Sequence, residues 1–162
     1  MDEKLLFICM GNICRSPAAE GIMVHLLEKA GLGGRVVCDS AGTIAYHVGE
    51  PPDRRMRAAA TRRGIALRGT ARKFSPADFD HFDRILVMDR ANYEDILDLD
   101  PSGRYRHKVK LVCEYCRLYP DREVPDPYYG GDAGFEHVLD LLLDACSGLL
   151  DAMRSGHVDR NR

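Results

Sequence analysis

The chain has 162 residues, 45% of them apolar, with acidic and basic side chains nearly balanced at a net charge of −2. That is enough chain for one domain with a proper core, and the balance argues against a general affinity for nucleic acid. No stretch is long and apolar enough to cross a bilayer, and the short apolar run after Lys4 does not have the form of a secretory signal.

In chain order, Leu5 to Cys9 is predicted to be the first strand. Pro17 to Ala30 has a helical stripe of Ala18, Ala19, Ile22, Met23, Leu26 and Leu27, closed by Gly31. Val36 to Cys38 is the second strand, and Pro52 to Arg63 a basic helix ended by Gly64. Ser75-Pro76-Ala77-Asp78 opens a short helix in the manner of a capping box. Ile85 to Met88 is the third strand, Ala91 to Leu97 a helix, and Val109 to Val112 the fourth strand. The last helix, about Gly134 to Met153, places Phe135, Val138, Leu142, Ala145, Leu149 and Met153 on one face that a sheet must cover. Strands alternating with helices predict an α/β fold: a three-layer sandwich with a four-stranded parallel sheet and helices on both faces. A single domain over residues 1–158 and a disordered tail over 159–162 are expected. A ligand site belongs at the carboxyl ends of the strands.

The first strand runs into Cys9-Met10-Gly11-Asn12-Ile13-Cys14-Arg15-Ser16. A loop that leaves a strand and enters a helix turns backbone N–H groups inward, and with the helix N-terminus they form an anion cradle. Gly11 and Asn12 suit the left-handed backbone of a tight curl, and Pro17 suits the first helical turn. A thiol in that setting favours its thiolate, so Cys9 is the candidate nucleophile. Arg15 offers a planar fork matched to two phosphoryl oxygens, and Ser16 can donate its hydroxyl to the sulfur. At the other end of the chain, Val124-Pro125-Asp126-Pro127-Tyr128-Tyr129 stiffens a loop around one carboxyl, and Asp126 is the candidate proton donor. Tyr128 and Tyr129 stand beside it as candidate walls for an aromatic substrate.

With these residues in hand, the chain resembles the low-molecular-weight protein tyrosine phosphatases along nearly its whole length. The loop Cys9 to Ser16, Asp39-Ser40-Ala41-Gly42-Thr43 after the second strand, Pro51-Pro52-Asp53 and Asp126-Pro127-Tyr128-Tyr129 stand in that family's order. The resemblance implies a flavodoxin-like fold and hydrolysis of phosphotyrosine in a protein substrate through a cysteinyl phosphate. Cys9 would be the nucleophile, Arg15 the phosphate binder and Asp126 the acid and then the base. Met10, Gly11, Asn12, Ile13, Cys14 and Ser16 would line the phosphate site, with Tyr46, Tyr128 and Tyr129 at its mouth. It also implies that Asn12 holds the loop by bonding Ser40, that Ser16 stabilises the thiolate, and that oxidised Cys9 is trapped as a disulfide with Cys14. No cofactor or metal is called for, phosphate and vanadate should compete, and a cytoplasmic monomer is expected. One departure is visible: many relatives carry a histidine where Gly69 stands, so the loop must be supported differently here.

Other features leave alternatives open. Eight basic and no acidic residues lie between Arg54 and Lys73, as a solvated face or a docking patch for acidic substrates. Six cysteines without a secretory signal point to reduced thiols. Cys38 and Cys146 lie on apolar faces as inert buried thiols. Cys113-Glu114-Tyr115-Cys116 lacks the second half of a zinc site, and a redox role suits it better. His25, His47, His81 and His137 show no ligand spacing and read as surface or packing residues. Thioredoxin-coupled arsenate reductases resemble this loop and fold, with Cys113 and Cys116 as conceivable relay thiols, but have no need of Asp126. Protein-arginine phosphatases resemble the chain too, with a threonine where Ile13 stands, so the apolar Ile13 favours an aromatic ester.

Overall fold

A computed structural model describes residues 2–128 and 131–156. Tyr129 and the expected tail 159–162 lie outside the described residues. Four strands, β1 (Glu3–Cys9), β2 (Val36–Gly42), β3 (Arg84–Val87) and β4 (Val109–Leu111), pair in parallel in the order β2-β1-β3-β4. Between and after them run α1 (Arg15–Lys29), α2 (Arg54–Thr61), α3 (Ala77–His81), α4 (Arg90–Asp98) and α5 (Asp132–Ser155), with 3-10 turns at Arg106–Lys108 and Val112–Tyr115.

β1 is central and its side chains alternate between two cores, as the period of a strand demands. Leu5 and Phe7 enter a core shared with Ala19, Ile22 and Met23 of α1, Met56 of α2, and Phe135 and Leu142 of α5. Leu6 and Ile8 point the other way, into Phe79 of α3, Ile85 and Val87 of β3 and Ile96 of α4. All four β1 residues are fully buried, and burying each such side chain contributes on the order of 1.5–3 kcal/mol. Two layers of helix around one parallel sheet are the architecture expected from the alternating pattern.

The element boundaries differ in instructive ways. β2 continues to Gly42 rather than ending at Cys38, so Asp39, Ser40 and Ala41 belong to the strand. Polar residues there give no apolar run, yet they pair with Leu6, Phe7 and Ile8 of β1. α2 begins at Arg54 because Asp53 caps it, accepting from Arg55 N and Met56 N. α4 is likewise capped by Asp89 through Asn92 N at 2.8 Å.

The basic stretch is largely consumed inside the molecule. Arg62 and Arg63 clamp α5 through Glu136, and Arg63 also bonds Asp140. Arg72 is shared between Asp39 and Asp78. Cys146 is fully buried, but Cys38 is only half-buried, since β2 is an edge strand whose outer residues meet solvent.

Candidate active site

β1, β2 and β3 end on one side of the sheet, and the segments that follow them meet there. Residues 9–15 curl from the end of β1 into the first turn of α1. Asn12 takes the left-handed backbone at φ 58°, the one non-glycine to do so among the described residues. Gly11 does not: its φ is not positive, and its role is close approach, since a Cβ there would lie 3.1 Å from His47 Cδ2. Gly42 is stricter, because a Cβ would meet the Met10 carbonyl at 2.7 Å. The absence of a side chain lets β2 run onward against the loop, where Thr43 N donates to the carbonyls of Cys9 and Met10 and Ile44 N to Met10 O.

Inside the curl the hydrogen bonds have a single consistent direction. Arg72 N donates to Asn12 Oδ1 at 3.0 Å, which fixes the amide orientation. Asn12 Nδ2 then gives one proton to Ser16 Oγ at 2.8 Å and one to Ser40 Oγ at 3.0 Å. Ser16 therefore turns its own proton to Cys9 Sγ, 3.0 Å away, and Asn12 N donates to the same sulfur at 3.2 Å. Ser40 passes its proton to Glu20 Oε1 at 2.7 Å. Burial pushes the Glu20 carboxyl up to about 7, with Asp39 adding to the rise and the Ser40 bond and Arg72 opposing it. Support for the loop at Gly69 comes from the backbone: Gly69 turns with φ 81°, and the chain delivers the Arg72 N–H to Asn12 three residues later.

Arg15 is buried at 3% exposure and held from behind. Its Nη1 donates to Asp89 Oδ2 at 2.7 Å and to the Val124 carbonyl at 2.9 Å. Burial opposes its charge, but Cys9, Asp89 and Asp126 outweigh that and hold it more firmly protonated than an ordinary arginine. Its Nη2 lies 3.8 Å from Asp126 Oδ2. Asp126 in turn accepts from Tyr128 N at 3.0 Å. Arg55 steadies the far end of the acid loop, bonding the Tyr128 carbonyl at 2.9 Å while its guanidinium sits 4.8 Å from the Phe135 ring centre.

These groups surround a cavity of about 280 Å³ lined by Cys9, Met10, Gly11, Ile13, Cys14, Arg15, Ile44, Tyr46, His47, Asp126 and Tyr128. Asn12, Ser16 and Ser40 stand behind the loop, bonded as above. His47, expected to be a surface or packing residue, is part of the wall: it packs edge-on against Tyr46 at 4.7 Å, faces Tyr128 at 6.3 Å and bonds Glu50. Tyr46 is 82% exposed, so it forms a rim rather than a core contact. Cys113 and Cys116 do not line this cavity. Glu20, Arg72, His47 and Asp89 carry no motif of their own; the N-cap position of Asp89 is the one signal that could have drawn attention to any of them, whereas Asp53 stands in the Pro51-Pro52-Asp53 motif. Asp53 also ties α2 to the loop by donating its N–H to the Ile13 carbonyl at 2.7 Å. Among the described residues no cluster of metal-ligating side chains occurs.

A curled loop with a cysteine at its base and an arginine at its end, on the carboxyl edge of a parallel sheet, is an arrangement suited to an anion held beside a thiol. The family model for low molecular weight phosphotyrosine protein phosphatase matches residues 4–159, and the chain belongs to that family. It is 61% identical over 150 residues, covering 93% of this chain and 96% of the relative, to a putative low molecular weight protein-tyrosine-phosphatase of Synechocystis sp.. A protein tyrosine phosphatase of Entamoeba histolytica, crystallised with Hepes in its active site, superposes with a TM-score of 0.93 at 43% identity, covering 96% of this chain and 99% of that one. A Drosophila arginine phosphatase superposes with a TM-score of 0.88 at 32% identity, covering 94% and 99%.

Proposed function

We propose that the protein is a protein-tyrosine phosphatase that hydrolyses phosphotyrosine in proteins in two steps through a cysteinyl phosphate. Cys9 Sγ attacks phosphorus while the inward N–H groups of the loop and Arg15 hold the non-bridging oxygens, stabilising charge where it develops. The aryl oxygen leaves with the Asp126 proton. Asp126 then takes a proton from the water that attacks the phosphocysteine, and inorganic phosphate is released. The observation that carries this reading is the convergence of the Cys9 thiol, the Arg15 guanidinium and the Asp126 carboxyl on one cavity, with Asp126 Oδ2 only 3.8 Å from Arg15 Nη2.

The apolar and aromatic wall of Ile13, Ile44, Tyr46, His47 and Tyr128 suits a flat ring entering edge-first above the cradle. Ile13 favours an aromatic ester over the phosphoguanidine that the Drosophila relative's name specifies. A turnover panel of phosphotyrosine, phosphoserine and phosphoarginine peptides tests this: phosphotyrosine is expected to lead, and preferential release from phosphoarginine contradicts it. Phosphate and vanadate should compete with substrate for the loop.

Reversible oxidation belongs to the same reading. Cys14 shares the curl with Cys9 and is the thiol that would condense with a Cys9 sulfenic acid, although burial, followed by Asp53 and Cys9 itself, pushes its thiol up. Peptide mapping after peroxide should find Cys9 joined to Cys14. A cytoplasmic, monomeric enzyme completes the reading; no helix among the described residues is long and apolar enough to cross a membrane.

A further inference from the structure

The dithiol at Cys113 and Cys116 lies outside the catalytic cavity and serves none of the steps above. Cys113 falls within the 3-10 turn Val112–Tyr115 that follows β4, and Cys116 caps it, donating its backbone N–H to the Cys113 carbonyl at 3.1 Å. A 3-10 turn has three residues per turn, so side chains three apart stand one above the other. The two thiols accordingly share one side of the turn. The neighbouring Cys116 thiol favours loss of the Cys113 proton, and Cys113 makes the Cys116 proton harder to lose, although burial and the carboxylates Asp121, Asp144 and Glu123 work against the Cys113 thiolate. The Cys116 thiol donates to the Leu141 carbonyl at 3.7 Å. Cys116 is half-buried and Cys113 has 6% of its surface exposed, so both thiols reach solvent.

The backbone beyond the pair is anchored independently of the thiols. Asp144 of α5 accepts from Arg117 N, Leu118 N and Tyr119 N at 2.9 to 3.1 Å. Pulling the Cys116 sulfur from its hydrogen bond into a covalent bond therefore leaves the root of the acid loop held in place.

We infer that Cys113 and Cys116 form a second thiol–disulfide site, separate from Cys9 and Cys14, which hydrogen peroxide converts to an intramolecular disulfide. The Cys113 thiolate attacks one peroxide oxygen, the O–O bond breaks, and the departing hydroxide takes up a proton to become water. Cys116 sulfur then attacks Cys113 sulfur, the S–O bond of the sulfenic acid breaks, and a second water leaves with the Cys116 proton. Two thiols and one peroxide give one disulfide and two waters, with two electrons passing from sulfur to oxygen.

The test uses the full-length chain carrying Cys9→Ser and Cys14→Ser, so that the readout is chemical and does not depend on the phosphatase mechanism. After hydrogen peroxide treatment and alkylation, trypsin releases Leu111–Arg117 with both cysteines in one peptide. The expected result is loss of both alkylatable thiols and of two hydrogen masses in that peptide, restored by a thiol reductant. Cys116→Ser on the same background should instead leave Cys113 as a sulfenic acid that labels with dimedone, and on the wild-type background it should leave phosphatase turnover unchanged. Both thiols remaining alkylatable at peroxide doses that oxidise Cys9 in the wild-type chain would overturn the inference. So would a wild-type disulfide between Cys9 and either Cys113 or Cys116, since the pair would then be a relay and not a site of its own.

Discussion

The two loops that meet over the cavity are built on opposite principles. The nucleophile loop is buried and fully wired: Cys9 and Asn12 are each 3% exposed, both Nδ2 protons and the Oδ1 of Asn12 are used, and the hydroxyls of Ser16 and Ser40 have one consistent direction. The acid loop carries its carboxyl at 36% side-chain exposure and is tied at a few points, Val124 to Met88 and Arg15, and Tyr128 to Arg55. Electrostatic stabilisation of a developing phosphoryl charge depends on donors that need not reorganise, whereas a proton donor must let substrate in and product out. Arg15 joins the two, since the same Nη1 that bonds Asp89 also bonds the Val124 carbonyl.

The comparison predicts a steep ranking of effects. Cys9→Ser removes the attacking thiol of the wired loop and should lower kcat by on the order of five to six decades, the scale of deleting a covalent nucleophile, while vanadate still binds. Steady-state turnover with vanadate titration checks it; activity within tenfold of wild type would break the assignment. Asp126→Ala should lower kcat/KM, which reports the phosphoryl-transfer step, by roughly two to four decades for poor leaving groups and much less for activated aryl phosphates. Equal losses across a leaving-group series would make Asp126 a mere support of the loop.

Glu20 sharpens the other side of the comparison, because the wired loop ends on a carboxyl that burial raises to about 7. Between its ordinary range and pH 7 the folded chain holds a proton that the unfolded chain has released, so this group's stabilising contribution is present at low pH and lost as pH rises through that window. The loss amounts to on the order of 3 kcal/mol. Denaturant unfolding at pH 5 and pH 7.5 should show a smaller difference for Glu20→Gln than for wild type. Equal differences would mean that Glu20 is solvated and ionised throughout.

Tyr128→Ala should have the smallest effect, raising KM for phosphotyrosine peptides several-fold, as expected for loss of one aromatic contact of about 1 kcal/mol, with little change for a small alkyl phosphate. Parallel changes for both substrates would assign the ring to loop packing.

What was legible in the sequence follows the same division. The nucleophile loop could be read because its chemistry is compressed into eight consecutive residues whose types leave few alternatives. Asp126 stood out because prolines flank it. Asn12, Ser16 and Ser40 came through family resemblance, but Arg72 and Asp89 could not be read, because their meaning is tertiary: Arg72 serves Asn12 across 60 positions, and Asp89 serves Arg15 across 74. Asp89 is also an N-cap, and that local role fully accounts for an aspartate before a helix. The basic run was ambiguous for the mirror-image reason, since the partners of Arg62 and Arg63 lie more than 70 residues away on α5. His47 gave no signal at all, because its place in the wall depends on the turn after β2 bringing it over Gly11. The sheet and helix order came through intact because each rests on local periodicity; β2 was shortened because its last residues are polar and serve the site.

The most direct test of the two-loop account is to trap the covalent intermediate in Asp126→Ala with an activated aryl phosphate. Such a leaving group needs no proton, so the wired loop alone should form the phosphocysteine, while hydrolysis, deprived of its base, should stall. Rapid quenching is then predicted to find close to one phosphate per chain on the tryptic peptide Leu5–Arg15, bonded to the Cys9 sulfur. No trapped phosphate, or phosphate on any other residue, would contradict it.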